Sequence, residues 1–303
     1  MSTAKSTAST QVNASVDLAG IHHRMKALTA MVRLPISRGQ WSGVSGSVLG
    51  QGTGSSIDFQ DQRPYLPGDD PRHINWQAYA RTGAYTMKLY RQEVTPKVDI
   101  LFDGSPSMFL TPAKAVRTWE LLYLCVESGL RLGASVKVQV VNASTVREVP
   151  MERVLAYDWV LEGKMEASQP RALLMAQAIL RAGSLRVWLS DLLVEESPGE
   201  VIAQLVRERG RGVVFAPSCP EESQPDWNGN IEFEECEYGR RDRRRVEPDV
   251  LKRYLKAYAM HFSLWRETCL RRQVAFARVP AEMEFLQSLR GEALSHGAVE
   301  LLG

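Results

Sequence analysis

The stretch VDILFDGSPS, residues 98–107, decides how this chain folds. It begins as an almost continuous apolar run, which is typical of a strand covered on both faces of a parallel sheet. The run stops at Asp103, and Ser105 and Ser107 follow at alternate positions. Apolar strands of this kind alternate with amphipathic helices along the rest of the sequence. We therefore predict, over residues 96–303, a doubly wound α/β domain with a mainly parallel sheet and helices on both faces.

The alternation of strands and helices can be followed outward from this first strand. The later predicted strands are SVKVQVV, SLRVWLSD, GVVFAP and VAFARV. The predicted helices are about Pro112–Leu132, ALLMAQAILRA, VIAQLVRERG, about Asp249–Arg272, and one near the end of the sequence.

The part of the chain before this domain has a different organisation. Residues 1–16 are small and polar, so they should form a disordered tail. Residues 17–95 should form a second segment, and it starts with a helix over Asp17–Leu34 because apolar residues recur there at helical spacing. A glycine-rich loop, residues 37–56, follows. Beyond it, Asp70 is placed to cap a short helix.

Composition excludes several classes of protein. The 303 residues carry 37 basic and 35 acidic side chains, so the net charge of +2 gives no reason to expect nucleic acid as a partner. The four cysteines lie far apart in sequence, which argues against a zinc site or a disulfide framework and favours a reducing compartment. No apolar stretch of about 18 residues occurs. We expect a cytoplasmic protein without a membrane span.

Two aspartates mark the candidate site. Asp103 and Asp191 both end apolar strands, and ligands of open α/β sheets bind at the carboxyl ends of strands. If the two strands are neighbours, Ser105 and Ser107 lie in the same crevice. Such a cluster of hard oxygen atoms suits Mg²⁺. A helix start beyond the loop could instead favour an anion, but the two carboxylates would repel it, so we rank a cation first.

The same residues resemble a known motif. DGSPS is similar to the D-x-S-x-S motif of von Willebrand factor type A domains, and Asp191 is similar to the later strand-end aspartate of that family. The resemblance implies a metal-ion-dependent adhesion site in which Asp103, Ser105, Ser107 and Asp191 hold Mg²⁺, or Mn²⁺. In the family a threonine from an intervening loop completes the site. The comparable stretch here, EASQPRALL, offers Ser168.

A longer resemblance covers the preceding segment. GTGSSIDFQDQRPYLPGDDPRHINWQAYARTGAYTMKLYRQE resembles the signature of the bacterial domain of unknown function 58 family, with Asn75 where the family has an aspartate. We predict a partner-binding surface made of Arg63, Tyr65, Gly68, Asp69, Asp70, Arg72, Trp76 and Arg81. The structural alternative is that these arginines pair with the two aspartates and that the tryptophan fills a core edge.

The resemblance implies a binding module that is not an enzyme. Members of that family accompany MoxR-type AAA ATPases, which act on other protein complexes, so the expected partners are such an ATPase and a client protein. One alternative remains a metal-dependent phosphatase or hydrolase that uses the strand-end aspartates. The other is a scaffold whose metal site is vestigial.

Other conspicuous residues favour structural interpretations. The run GRRDRRR, residues 239–245, follows an acidic stretch and has few aromatic neighbours, so we predict a solvated loop rather than a nucleic-acid contact. The five histidines are scattered and lie in no nucleophile motif. The aromatic residues of YLKAYAMHFSLW have helical spacing and are expected to pack in the core.

Overall fold

The computed structural model describes residues 16–36, 57–92, 95–142, 144–158, 161, 169–236 and 239–302. Residues 1–15 of the predicted tail (residues 1–16), the glycine-rich loop and Ser168 lie outside the described residues.

The described elements are as follows, in chain order. The helices are α1 (Leu18–Leu28), α2 (Trp76–Thr82), α3 (Pro112–Arg131), α4 (Met151–Leu155), α5 (Arg171–Gln177), α6 (Pro198–Val206), α7 (Pro220–Ser223), α8 (Pro248–Arg271), α9 (Phe285–Arg290) and α10 (Glu292–Ser295). The strands are β1 (Val32–Arg33), β2 (Ile57–Pro64), β3 (Thr86–Gln92), β4 (Lys97–Asp103), β5 (Ser135–Val141), β6 (Val146–Val149), β7 (Leu185–Leu189), β8 (Arg211–Ser218), β9 (Gly229–Glu234), β10 (Arg241–Val246), β11 (Ala275–Pro280) and β12 (Glu300–Leu301).

A mostly parallel sheet forms the centre of the fold. Within the described part of the chain its six strands have the order β11-β8-β7-β4-β5-β6. All neighbouring pairs are parallel except β5 and β6. The chain runs outward from β4 in one direction through β5 and β6, and in the other through β7, β8 and β11. The strand order therefore reverses beside β4, and the predicted mixed α/β architecture is confirmed.

Helix α3 packs along this sheet and is buried for almost its whole length. Thr111 caps its start, because the Thr111 hydroxyl accepts a hydrogen bond from the backbone N–H of Lys114 at 3.1 Å. Close to its end, a Cβ atom on Gly129 would lie 2.5 Å from Cγ2 of Val136, so only glycine lets the helix approach β5 this closely. The side chains of Trp119 and Leu122 are fully buried in the core.

The chain separates into two compact units. One contains residues 1–36 and 96–303, and the other contains residues 37–95. Helix α1 therefore lies in the α/β unit, whereas the sequence interpretation grouped it with the signature segment. The physical reason is that the apolar side chains of α1, Ile21 and Met25, are buried and that the helix packs on α3.

Helix α1 is also shorter than predicted. It ends at Leu28 instead of Leu34, and the chain then forms β1. Strand β1 pairs with β12, and the guanidinium group of Arg33 contacts the Glu300 carboxylate at 2.6 Å. The conformation of the residues after Leu28 thus depends on their pairing with β12, which the spacing of apolar residues in the sequence does not reveal.

A buried histidine ties α1 to α3. Nε2 of His22 lies 2.6 Å from the Glu127 carboxylate, and Nδ1 lies 2.8 Å from the Tyr157 hydroxyl. We expect His22→Ala to lower the free energy of unfolding by about 2 kcal/mol, because it leaves a buried carboxylate without this partner. Urea unfolding measures the change. The control is His23→Ala, since His23 is exposed, and an equal effect of both substitutions would contradict the assignment.

The arginine-rich run is solvent-exposed, as predicted, but most of it is a strand and not a loop. Residues 241–246 form strand β10, which pairs with β9 in an antiparallel hairpin. Arg241 and Arg243 lie directly opposite Glu234 and Glu232 and form ion pairs with them at 3.0 Å. The acidic stretch before the run thus supplies the cross-strand partners of the arginines. This pairing leaves less free positive charge for phosphate groups than the sequence suggests.

The second unit contains a hairpin and a short helix. Strands β2 and β3 are antiparallel, with a register shift between Phe59 and Asp61. A 3₁₀ turn over Pro71–His73 starts at the predicted cap, since Asp70 accepts a hydrogen bond from the Arg72 N–H. Helix α2 has a cap of its own, because the Asn75 side chain accepts from the Ala78 N–H at 3.2 Å. Asn75 therefore provides the capping oxygen that an aspartate would provide.

Candidate functional site

The two strand-end aspartates meet at one edge of the sheet. Asp103 is the last residue of β4, and Asp191 follows the end of β7, its direct neighbour. Ser190 connects them, since its hydroxyl donates a hydrogen bond of 2.7 Å to Oδ2 of Asp103. The site lies where the strand order reverses, which is the position at which open α/β sheets bind ligands.

The two serines of DGSPS belong to the same cluster. The backbone N–H of Ser105 donates to Oδ1 of Asp103 at 3.0 Å, and the hydroxyl oxygens of Ser105 and Ser107 lie 3.1 Å apart. The Ser107 side chain helps to hold the pKa of Asp191 below its usual range, which places it near that carboxylate. We call these four residues, Asp103, Ser105, Ser107 and Asp191, the strand-end site. The structure thus brings together the four residues of the predicted metal site that it describes.

Sequence reasoning missed a buried lysine in contact with this site. Lys114, in the first turn of α3, has a fully buried side chain whose Nζ atom lies 2.9 Å from Oδ2 of Asp191. Its ammonium group is also hydrogen-bonded to the Glu222 carboxylate, at the start of α7. Burial alone would lower the pKa of Lys114, but the charges of Asp191 and Glu222 outweigh burial and raise it. Lys114 is therefore a permanent cation at neutral pH.

The shared cation affects the two carboxylates differently. Burial would raise the pKa of Asp191, but the adjacent ammonium group outweighs it and holds this pKa below its usual range. For Glu222 burial is the stronger effect, so its pKa is raised despite the same ammonium group. Asp191 is thus the carboxylate that stays ionised most firmly beside Lys114.

Asp103 also has a cationic neighbour. The Arg171 guanidinium group, at the start of α5, lies 3.5 Å from Oδ1 of Asp103, and its side chain is 5% exposed. The Arg171 backbone N–H donates to the Glu196 carboxylate at 2.6 Å, and its Nη1 donates to the Asn142 carbonyl at 3.1 Å. These contacts fix the arginine beside the loop that contains Gly104.

The arrangement does not fit a magnesium ion. Each carboxylate oxygen of Asp103 and Asp191 already accepts a hydrogen bond within the chain, from Ser105, Ser190, Lys114 or Leu193. Both carboxylates are at most 4% exposed. A divalent ion bound to Asp191 would also lie beside the Lys114 ammonium group, which would repel it. Among the described residues, no group of three or more histidine, cysteine, aspartate or glutamate side chains is placed to hold a metal.

The nearby thiol is not activated for catalysis. Cys219 lies next to Glu222, and its backbone N–H donates to that carboxylate at 3.3 Å. Burial, with the negative charge of Glu222, raises the pKa of Cys219 to about 12. Since the thiolate is the nucleophile, this cysteine is largely protonated and unreactive at neutral pH.

The charged residues of the signature segment mostly pair with one another. Arg63 forms a bidentate ion pair with Asp69, with both N–O distances at 2.7 Å. The guanidinium group of Arg72 lies 2.7 Å from Oδ2 of Asp70. For these four residues the geometry favours the structural alternative, in which the pairs hold the turn before α2. Gly68, with φ of 106°, lies in that turn. Arg81 donates to the Gln77 carbonyl at 3.4 Å.

The aromatic residues of the same segment form a cluster with exposed rings. Tyr79 and Tyr85 stack with ring centroids 4.4 Å apart, and Trp76 is nearly perpendicular to both. Tyr65 completes the group, 6.2 Å from Tyr85. We call these four residues the aromatic cluster. Trp76 is 58% exposed and Tyr85 is 48% exposed, so Trp76 does not fill a core edge as the structural alternative required.

A family model described as protein of unknown function DUF58 matches residues 61–153. Residues 61–153 are thus similar to the DUF58 family, and we call them the DUF58 segment. The match confirms the family resemblance that the sequence motif indicated. This DUF58 segment contains the aromatic cluster, the DGSPS loop and Lys114, whereas Asp191 and Glu222 lie beyond it.

Comparison with solved structures gives weaker likenesses. A conserved hypothetical protein BatB from Bacteroides thetaiotaomicron has 12% identity and a TM-score of 0.36, with 66% of this chain and 98% of that chain covered. An aerotolerance-related membrane protein from Bacteroides fragilis has 14% identity and a TM-score of 0.31, with 57% of this chain and 98% of that chain covered. No curated protein matches the sequence.

None of the helices in the described part of the chain combines the length and apolar character needed to cross a bilayer.

Proposed function

We propose that this chain is a non-enzymatic protein-binding module with a von Willebrand type A-like domain, acting with a MoxR-type AAA ATPase on a client protein complex. The observation that carries the proposal is the aromatic cluster. Exposed, mutually packed tyrosine and tryptophan rings are typical of the residues that contribute most to protein interfaces. All four rings lie in the DUF58 segment, and two of them, Tyr65 and Trp76, belong to the partner-binding surface predicted from the sequence.

The internal pairing of the strand-end site supports a binding function over catalysis. A carboxylate that accepts a proton, attacks a substrate or holds a metal must be accessible to the reacting group, and the Asp103 and Asp191 side chains are at most 4% exposed. Both carboxylates here are already hydrogen-bonded on every oxygen and lie beside buried cations. The competing phosphatase or hydrolase proposal predicts activity on a substrate panel that is lost in Asp103→Asn. Such activity would displace the binding proposal.

Substitution of the central ring tests the proposal. With a purified MoxR-type ATPase from the same genome, we expect Trp76→Ala to weaken binding by about 2 kcal/mol, or roughly thirtyfold, because Trp76 offers the largest exposed ring of the cluster. Biolayer interferometry measures the affinity. The control is Leu270→Ala, since Leu270 is 77% exposed on α8 and lies outside the DUF58 segment. Equal affinities for Trp76→Ala and the unmodified protein would contradict the assignment of the surface.

A further inference from the structure

We infer that Lys114 is a built-in counter-cation that takes the place of a divalent metal at the strand-end site and excludes such a metal from it. The inference does not depend on the identity of the partner. It concerns the residues of this chain alone, and it differs from the magnesium site that the D-x-S-x-S motif implied.

The first argument is the completeness of the hydrogen bonding. Asp191 accepts from Lys114 on Oδ2 and from the Leu193 N–H on Oδ1 at 3.2 Å. A metal bound to Asp191 would have to share this carboxylate with the Lys114 ammonium group, whose positive charge would repel it. The carboxylate is therefore satisfied by groups that the fold itself positions.

The second argument is the balance of charge. The buried cluster contains three carboxylates, those of Asp103, Asp191 and Glu222, and two cations, Lys114 and Arg171. The two fixed cations offset two of the three carboxylate charges without any ion from solution. Ionised carboxylates are rarely buried unless they are paired, so the fold needs these cations.

The third argument is the position of Lys114 on its helix. Lys114 lies on the same side of α3 as Thr118, Leu121 and Cys125, and all four side chains are fully buried. Lysines usually extend their ammonium groups to solvent, but the side chain of Lys114 is fully buried and its ammonium group contacts Asp191 within the protein. The start of α3 directly follows the DGSPS loop and a short 3₁₀ turn, so the sequence places this charge beside the strand-end site.

Removing the lysine charge should convert the cluster into a site for divalent ions. The remaining carboxylate and hydroxyl oxygens are hard ligands of the kind that Mg²⁺ and Mn²⁺ prefer. We expect no saturable Mn²⁺ binding to the unmodified full chain at millimolar concentration, as followed by calorimetry and by the electron spin resonance signal of free Mn²⁺. We expect Lys114→Met to bind Mn²⁺ at least about tenfold more tightly and to melt several degrees higher with Mn²⁺ than without it.

Matched variants separate this role from a general effect of the substitution. Lys114→Met combined with Asp191→Asn should lose the gain in Mn²⁺ affinity. Lys137→Met removes a lysine that pairs with Glu148 at the protein surface, and it should not increase the affinity for Mn²⁺. Saturable Mn²⁺ binding to the unmodified chain, lost in Asp103→Asn, would overturn the inference. A folded Lys114→Met variant that remains indifferent to Mn²⁺ would overturn it as well. If Lys114→Met does not fold, the titration of the unmodified chain decides the question.

Discussion

Lys114→Ala is expected to lower the free energy of unfolding by about 3–5 kcal/mol, because it leaves buried carboxylates without their cation. Asp191 and Glu222 share this ammonium group, and the side chain of neither is more than 7% exposed. Most of this loss of stability comes from leaving buried carboxylates uncompensated. The interaction energy of a single ion pair contributes less. Equilibrium unfolding in urea, followed by circular dichroism, measures it.

An exposed lysine provides the control for this prediction. Lys137 pairs with Glu148 at 3.0 Å, but these side chains are 34% and 40% exposed. Surface pairs of this kind contribute less than about 1 kcal/mol, so Lys137→Ala should have little effect. If the two substitutions reduced stability equally, Lys114 would not be the structural cation that we describe.

The second large effect is expected at the opposite end of β4. The Asp99 side chain is fully buried and accepts hydrogen bonds from the backbone N–H and from Nε of Arg181, at 2.8 and 2.7 Å. Arg181 also donates to the carbonyl oxygens of Val98 and Ser135, both at 2.8 Å. One guanidinium group thus joins β4, β5 and the chain segment that leads into β7.

Arg181→Ala should lower the free energy of unfolding by about 3–5 kcal/mol. The substitution leaves the buried Asp99 carboxylate without its cation and two carbonyl groups without this donor. Denaturant unfolding again provides the measurement. Arg253→Ala is the control, because Arg253 is exposed on α8. Asp99→Asn should retain part of the stability, since an amide still accepts a hydrogen bond. An Arg181→Ala protein as stable as the Arg253→Ala protein would exclude this role.

The central sheet could be predicted because its sequence signal is local. Strands β4, β7 and β8 are mainly apolar runs, and the helix between β4 and β5 was predicted to within one residue of Pro112–Arg131. Other boundaries depend on distant partners. Helix α1 ends at Leu28 because the following residues pair with β12, almost the whole chain away. The β9–β10 hairpin depends on charge pairs between strands, which the composition of the arginine run did not reveal.

The candidate site could be predicted only in part. The strand-end rule correctly placed Asp103 and Asp191 together, because their strands are neighbours on either side of the reversal in strand order. Glu222 lies 108 residues beyond Lys114 in sequence, so their contact depends on the tertiary fold. One signal was present in the sequence, since Lys114 occupies the apolar stripe of a strongly patterned helix. A lysine in such a position requires a buried carboxylate, and that requirement could have been stated in advance.

A crystal of the unmodified chain soaked in Mn²⁺ tests the central claim most directly. Anomalous scattering would locate any bound Mn²⁺ ion and distinguish it from a water molecule. We predict no anomalous peak between Asp103 and Asp191, with the Lys114 ammonium group in hydrogen-bonding contact with Asp191 and Glu222. An octahedral Mn²⁺ ion bound by Asp103, Ser105, Ser107 or Asp191, with Lys114 displaced from Asp191, would contradict the account.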